Sequence, residues 1–217
     1  MPISTAIILA AGSGTRIWPF ADVRNKCAIP VANTPNVRRL TDSLAEIGVH
    51  RIIVALGPHP GSIRAAFFGS SAAIEYVTPP SDSGTAGALL EALKGVDDER
   101  FLVVYGDTVT TERNLRAVAE APESKDAQGA ILYDSIHSGE SLSWYGAEIE
   151  GDRLTGIIGH GRDSVYRICG VMALDRSIIP YLEANPGIMK RVQVAQCPRS
   201  NPTSPNPSPT GRPKSLR

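Results

Sequence analysis

The sequence has no excess of charge, few cysteines and no long apolar run. Its 22 basic residues balance 22 acidic ones, so no global field favours nucleic acid or a membrane surface. Three cysteines without a C-x-x-C pair argue against a disulfide framework or a zinc site. The apolar run Ile7–Ala11 is too short for a signal peptide or a membrane span. We therefore expect a cytoplasmic protein that binds neither nucleic acid nor membrane.

Short apolar runs alternate with amphipathic segments along most of the 217 residues. Strand-like runs lie at 6–9, 51–56, 73–77, 101–105 and 129–133, and helical patterns at 37–47, 62–68, 86–93 and 115–119. Gly48 is placed to end the first helix. This alternation predicts an α/β fold, a Rossmann-like three-layer sandwich with a mostly parallel sheet.

The second half of the chain is organised differently. Residues 144–150 and 153–160 indicate a small β-hairpin around Gly151-Asp152, followed by a strand at 165–174 and a short helix at 176–183. Residues 197–217 contain six prolines, four serines and no acidic residue, a composition typical of disorder. We predict a domain over 1–190 and a disordered, weakly basic tail over 191–217.

The first strand leads into a turn built from Gly12, Ser13 and Gly14, with Arg16 behind it. Glycine lets backbone N–H groups approach phosphate closely. The dinucleotide fingerprint G-x-G-x-x-G fails because position 17 is isoleucine, which disfavours a Rossmann oxidoreductase. The P-loop fails because no Lys-Ser or Lys-Thr follows the glycines.

Ligands of parallel sheets bind beyond the carboxyl ends of the strands. The segment Gly12–Arg16, the pair Gly84-Thr85 and Asp107 all follow predicted strand ends. We therefore expect these three segments to meet at one edge of the sheet.

The segment LAAGSGTR at 9–16, then Pro19, Lys26 and IPVANTP at 29–35, resembles the signature of the sugar-phosphate nucleotidyltransferases. The segments GTAGA at 84–88 and YGD at 105–107 fit the same family in order. The resemblance covers roughly residues 3–185. It implies an enzyme that joins a nucleoside triphosphate to a sugar 1-phosphate and releases pyrophosphate.

The resemblance also implies roles for individual residues. Arg16 would contact the leaving phosphates, Lys26 the α-phosphate, and Asp107 would hold Mg²⁺. Gly146 would lie near the sugar, within a sugar-binding sub-region formed by the hairpin. The predicted nucleotide-binding residues are Leu9, Ala11, Gly12, Ser13, Gly14, Thr15, Gly84 and Thr85.

Each of these residues also has a structural interpretation. Arg16 and Lys26 can be solvated loop cations. Asp107 can cap a helix or close a turn after a strand, and Ser83 or Thr85 can cap the helix that begins near Gly84.

The sequence also departs from the family. The segment 79–83, directly before Gly84, contains no Gln or Glu, the family's Glu-Lys pair is absent near 159–161, and its sugar-contacting Asn is absent near Ile168. The family's second acidic metal ligand has no counterpart, which suggests a truncated or frame-altered C-terminus. An alternative is therefore a catalytically impaired or inactive relative that serves as a regulatory or interaction module. Homo-oligomer formation is possible, and the sequence does not identify the nucleotide or the sugar.

Overall fold

The computed structural model describes residues 2–70, 72–81, 83–121, 129–136, 145–158 and 164–184. The predicted tail lies outside these residues. Ten strands are present in the described part: β1 Thr5–Ala10, β2 Pro30–Val31, β3 Thr34–Pro35, β4 Arg51–Leu56, β5 Ile74–Val77, β6 Arg100–Tyr105, β7 Gly129–Ser135, β8 Gly146–Glu150, β9 Arg153–Ile158 and β10 Tyr166–Asp175. The α-helices there are α1 Asn36–Glu46, α2 Pro60–Ala66, α3 Gly84–Leu93, α4 Glu112–Ala119 and α5 Ile179–Ala184.

Eight strands form one sheet in the order β5-β4-β1-β6-β10-β8-β9, with β7 paired to the other edge of β10. The pairs β5-β4, β4-β1 and β1-β6 are parallel, and β10 is antiparallel to its three neighbours. Because β9 is antiparallel to β8, six strands run one way and only β9 and β10 run the other. The predicted α/β fold class is confirmed as a mixed sheet of mostly parallel strands.

Two helical layers cover the sheet. Helices α1, α2 and α4 pack on one face, and α3 and α5 pack on the other. Strand β1 serves both layers, because Ile8 faces the first cluster and Ile7 the second, each fully buried. Burying one such side chain stabilises the fold by about 1.5–3 kcal/mol, so this strand is fixed in the centre of the molecule.

Element bounds follow the sequence patterns closely. Strand β4 has the predicted bounds, and α1 ends before Gly48, whose φ is +92°. The predicted hairpin is confirmed between Gly146 and Ile158, while positions 144, 159 and 160 lie outside the described residues.

Three local features differ from the predictions. The last predicted helix divides into a 3₁₀ turn at Arg176–Ile178 and α5, because the Asp175 side chain accepts a hydrogen bond from the Ser177 N–H and sets the turn. Ser83 occupies the N-cap position of α3 but makes no capping hydrogen bond. Strand β10 carries an unpredicted irregularity between Ile168 and Met172, a bulge that includes Gly170 with φ +68°.

Candidate active site

The candidate site lies where the strand order reverses. After β1 the chain continues to β4 and β5, which lie on one side of β1, and then crosses to β6, which pairs with the other side of β1. The two strands that flank this point run parallel, with Leu9 opposite Tyr105. Their carboxyl ends therefore open into one crevice, the position at which open α/β sheets bind ligands.

The glycine-rich loop leaves the carboxyl end of β1 and turns sharply at Gly14. Gly14 adopts the left-handed conformation with φ +69° and leads into a 3₁₀ turn at Thr15–Ile17. A Cβ built on Gly14 would lie 3.6 Å from Cβ of Lys26. The loop therefore packs against the segment that carries Lys26.

A buried asparagine holds that segment in place. Asn25 is 3% exposed, and its amide nitrogen donates to the carbonyls of Ala10 and Pro58 at 2.9 and 3.1 Å. Its amide oxygen accepts from the Cys27 N–H at 3.0 Å. The end of β1, the loop after β4 and the Lys26 turn are thus joined through one side chain.

Lys26 and Asp107 form an ion pair in the crevice. The ammonium nitrogen of Lys26 lies 2.6 Å from Oδ2 of Asp107, and the two side chains are 26% and 43% exposed. A Cβ built on Gly12 would lie 3.6 Å from the same nitrogen. A glycine, a lysine and a carboxylate from three places in the sequence therefore meet at one point that solvent reaches.

The turn that carries Asp107 is packed tightly. The Gly106 N–H donates to the Leu9 carbonyl at 2.9 Å, and a Cβ on Gly106 would lie 2.8 Å from Sγ of Cys27. The amide of Asn36 donates to the carbonyls of Gly106 and Thr108. Only glycine fits at position 106 without displacing a neighbour.

Two titratable groups beside the pair keep their protons. Burial raises the pKa of Cys27 to about 12, with Asp107 adding to the rise and Lys26 opposing it. Burial raises the pKa of Tyr105 to about 12 as well, helped by Tyr145 and Asp107. Both groups are neutral at physiological pH, so the ion pair carries the charge of this part of the site.

The family model described as the MobA-like NTP transferase domain matches residues 6–168. The chain belongs to this family. The matched segment contains both partners of the ion pair and the glycine-rich loop.

Curated proteins are similar to this chain over part of its length. The chain is 35% identical over 137 residues to the bifunctional protein GlmU of Methanococcus maripaludis strain C5, covering 63% of this chain and 31% of that protein. It is 27% identical over 149 residues to the UTP–glucose-1-phosphate uridylyltransferase AglF of Haloferax volcanii, covering 68% of this chain and 60% of that protein. The chain thus spans about a third of that GlmU and 60% of AglF.

Solved structures share the fold. The inositol-1-phosphate CTP transferase of T. maritima superposes with a TM-score of 0.74 at 16% identity, over 85% of this chain and 75% of that one. A UDP-glucose pyrophosphorylase from Acinetobacter baumanii gives 0.72 at 19% identity, over 87% and 80% of the two chains. The fold of this NTP transferase domain is therefore that of sugar-phosphate nucleotidyltransferases.

The structure does not bring every predicted site residue into contact. Arg16 is exposed on its 3₁₀ turn and makes no hydrogen bond or ion pair with the described residues. Gly84 and Thr85 begin α3, which follows β5. They lie at the same edge of the sheet as the crevice, but α3 packs on the opposite face of the sheet from α1. Asp107 caps no helix, since Thr111 caps α4. The nucleotide roles of Arg16, Gly84 and Thr85 remain predictions.

The remaining predicted residues have structural contacts of their own. The Leu9 carbonyl accepts from Gly106, and the Ala11 carbonyl lies against Gly57, where a Cβ would approach to 2.2 Å. Ser13 and Thr15 are exposed on the loop. Gly146 is buried in β8, where a Cβ would lie 2.6 Å from Cβ of Ser164, so close packing explains this glycine without a sugar.

Sequence reasoning missed the residues that support the site, above all Asn25, Asn36 and Gly57. Each acts on backbone groups of segments distant in sequence, so no local periodicity reveals it. The sequence holds one indication of the role of Asn36. It is a polar residue directly before Val37, where the apolar face of α1 begins, so it is placed to bond groups at the start of that helix.

No cluster of three or more His, Cys, Asp or Glu side chains that could hold a metal is present in the described ranges. Among the same residues, no helix is both long and apolar enough to cross a bilayer.

Proposed function

We propose that this NTP transferase domain joins a nucleoside triphosphate to a sugar 1-phosphate, giving a nucleoside diphosphate sugar and pyrophosphate. The observation that carries the proposal is the Lys26–Asp107 pair, 2.6 Å apart beside Gly12 at the reversal point of the sheet. The names of the relatives support it, since AglF is a UTP–glucose-1-phosphate uridylyltransferase.

The reaction needs little covalent help from the protein. A phosphate oxygen of the sugar 1-phosphate attacks the α-phosphorus while the bond to the bridging oxygen of the β-phosphate breaks, and pyrophosphate leaves. Positioning and neutralisation of negative charge supply most of the catalysis. Lys26 would face the α-phosphate, exposed Arg16 the leaving phosphates, and the loop Gly12–Gly14 would offer backbone N–H groups.

The donor set fits a magnesium ion bound together with substrate. Mg²⁺ is commonly held by one or two carboxylates while substrate phosphates complete its coordination, and Asp107 supplies one partly exposed carboxylate. The ion would neutralise phosphate charge. Lys26 now balances Asp107, and arriving phosphates would give that ammonium group a second anionic partner.

The sugar would lie on the side of β8, beyond Asp107. The Ile168 N–H donates to the Tyr145 carbonyl at 3.0 Å, and Gly170 of the same strand packs against Tyr105 and Thr108, so β10 links the start of the hairpin to the Asp107 turn. Of the positions at which the family's sugar contacts are missing, 159–161 lie outside the described residues, whereas Ile168 lies in β10. The position of the sugar therefore stays a prediction from the family resemblance of the Tyr145-Gly146 segment, and the packing of Gly146 adds no support to it.

A pyrophosphate-release screen tests the function. Purified protein with Mg²⁺ is offered UTP, dTTP, GTP, CTP and ATP, each with several hexose and hexosamine 1-phosphates and with inositol 1-phosphate. We expect one nucleotide and sugar pair to give turnover that Lys26→Met abolishes. Triphosphate binding by calorimetry without turnover in any pair would instead support the inactive regulatory relative.

A further inference from the structure

Asn36 stands at the junction of the two segments that form the ion pair. It is the first residue of α1 and is 4% exposed. Its Nδ2 donates to the Gly106 carbonyl at 3.0 Å and to the Thr108 carbonyl at 2.9 Å. These carbonyls belong to the residues on either side of Asp107, so one side chain brackets the turn.

The chemistry of the partners fixes the orientation of the amide. Both partners are carbonyl oxygens, which only accept, so the NH₂ group must face them and both of its protons are used. With the amide reversed, its oxygen would meet two carbonyl oxygens. A carboxylate or a hydrocarbon of similar size at this position would leave both carbonyls without this donor.

The backbone of Asn36 holds the other segment. Its N–H donates to the Ile29 carbonyl at 3.1 Å, directly after the 3₁₀ turn Lys26–Ala28. Asn36 therefore hydrogen-bonds the segment after Lys26 through its main chain and the Asp107 turn through its side chain. The two charged groups are thereby held relative to each other by one helix terminus.

We propose that Asn36 is a positioning residue that sets Asp107 against Lys26. The catalytic consequence rests on the proposed nucleotidyl transfer, whereas its hold on the Asp107 turn does not. The residue contacts no reacting atom and acts through the Asp107 backbone.

The variants Asn36→Asp and Asn36→Leu test the proposal. Asn36→Asp keeps the size and removes the donors, and Asn36→Leu fills the site with a side chain suited to the core. The matched control is Thr41→Val, because Thr41 is fully buried on the same helix and bonds only its own helix, through the Val37 carbonyl.

Amide hydrogen exchange on the unliganded protein is the first measurement. We expect the amides of residues 106–108 to exchange about tenfold faster in either Asn36 variant, with β1 and β4 unchanged. Thr41→Val should leave the 106–108 amides as in the parent protein. Unchanged exchange at 106–108 in both folded Asn36 variants would overturn the proposal.

Steady-state kinetics with the substrates identified by the screen are the second measurement. We expect kcat to fall by about tenfold or more, the nucleotide KM to change little, and the half-saturating Mg²⁺ concentration to rise by about tenfold. A loss matched by the unfolded fraction, with unaltered Mg²⁺ dependence, would overturn the catalytic consequence. If the parent protein releases no pyrophosphate, the proposed function fails while the exchange measurement still decides the structural hold.

Discussion

The ammonium nitrogen of Lys26 lies 2.6 Å from a carboxylate oxygen of Asp107, although 81 residues separate them in sequence. Both side chains are partly exposed, so solvent screens the pair and its contribution to stability is about 0–1 kcal/mol. The pair therefore adds little to folding, which agrees with its proposed role in ligand chemistry at the reversal point of the sheet.

The substitution Asp107→Asn should therefore abolish turnover while the melting temperature changes by only a few degrees. The carboxylate would be lost as a charge partner, but no buried group would be left unpaired. Pyrophosphate release and a thermal melt on the same preparation measure both effects. A large loss of stability with retained turnover would show that Asp107 has a structural role.

Arg16→Ala should weaken triphosphate binding without altering stability, because its side chain makes no polar contact with the described residues. Loss of one charge-assisted contact corresponds to about 1.5–3 kcal/mol, or about 10- to 150-fold in Kd. Calorimetry measures the affinity. Arg24→Ala is the control for charge, since Arg24 is exposed on the same connection. Equal affinities for both variants would remove Arg16 from the site.

The scaffold of the site was predictable because it depends on local patterns. The apolar run of β4 and the glycine that ends α1 act within their own segments. The placement of Asp107 at the crevice followed from its position after a strand. These features together predicted Asp107 at the carboxyl edge of the sheet. The strand order, and with it the reversal point, is seen only in the structure.

The support of the site was not predictable, because it depends on contacts between distant segments. Asn25 reaches carbonyls 15 and 33 residues away, and Asn36 reaches carbonyls 70 and 72 residues away. Gly57 is required by the close approach of the Ala11 backbone. Such residues become visible only when the sheet order brings the loops together.

Asn25→Ala should destabilise the domain by roughly 2–4 kcal/mol, because it leaves buried backbone groups without their partners. These groups are the carbonyls of Ala10 and Pro58 and the N–H of Cys27. Urea unfolding measures the loss. Asn114→Ala removes one side-chain hydrogen bond at a half-buried position and should stay within about 1 kcal/mol. Comparable values for the two variants would contradict the anchoring role of Asn25.

Cys27 should make the domain less stable at alkaline pH. Burial raises the pKa of Cys27 from its ordinary value of 9.0 to about 12, with Asp107 adding to the rise. Between these values the unfolded chain loses a proton that the folded chain keeps, so the free energy of unfolding falls as pH rises. The contribution is fully present below pH 9 and is lost toward pH 12, with a slope of at most about 1.4 kcal/mol per pH unit.

Between pH 9 and 10, Tyr105, whose pKa is raised from 10.0 to about 12, adds little to this effect. Burial also raises the pKa of Cys169, but Cys169 is present both in the parent protein and in Cys27→Ala, so its contribution cancels in their difference. Urea unfolding of the parent protein and of Cys27→Ala at several pH values gives two curves. The alanine variant should be less stable at neutral pH, because it leaves a cavity against Gly106, yet its free energy of unfolding should fall less steeply above pH 9. Parallel curves across this window would show that the thiol of Cys27 titrates alike in the folded and unfolded states, and that its burial does not govern its ionisation.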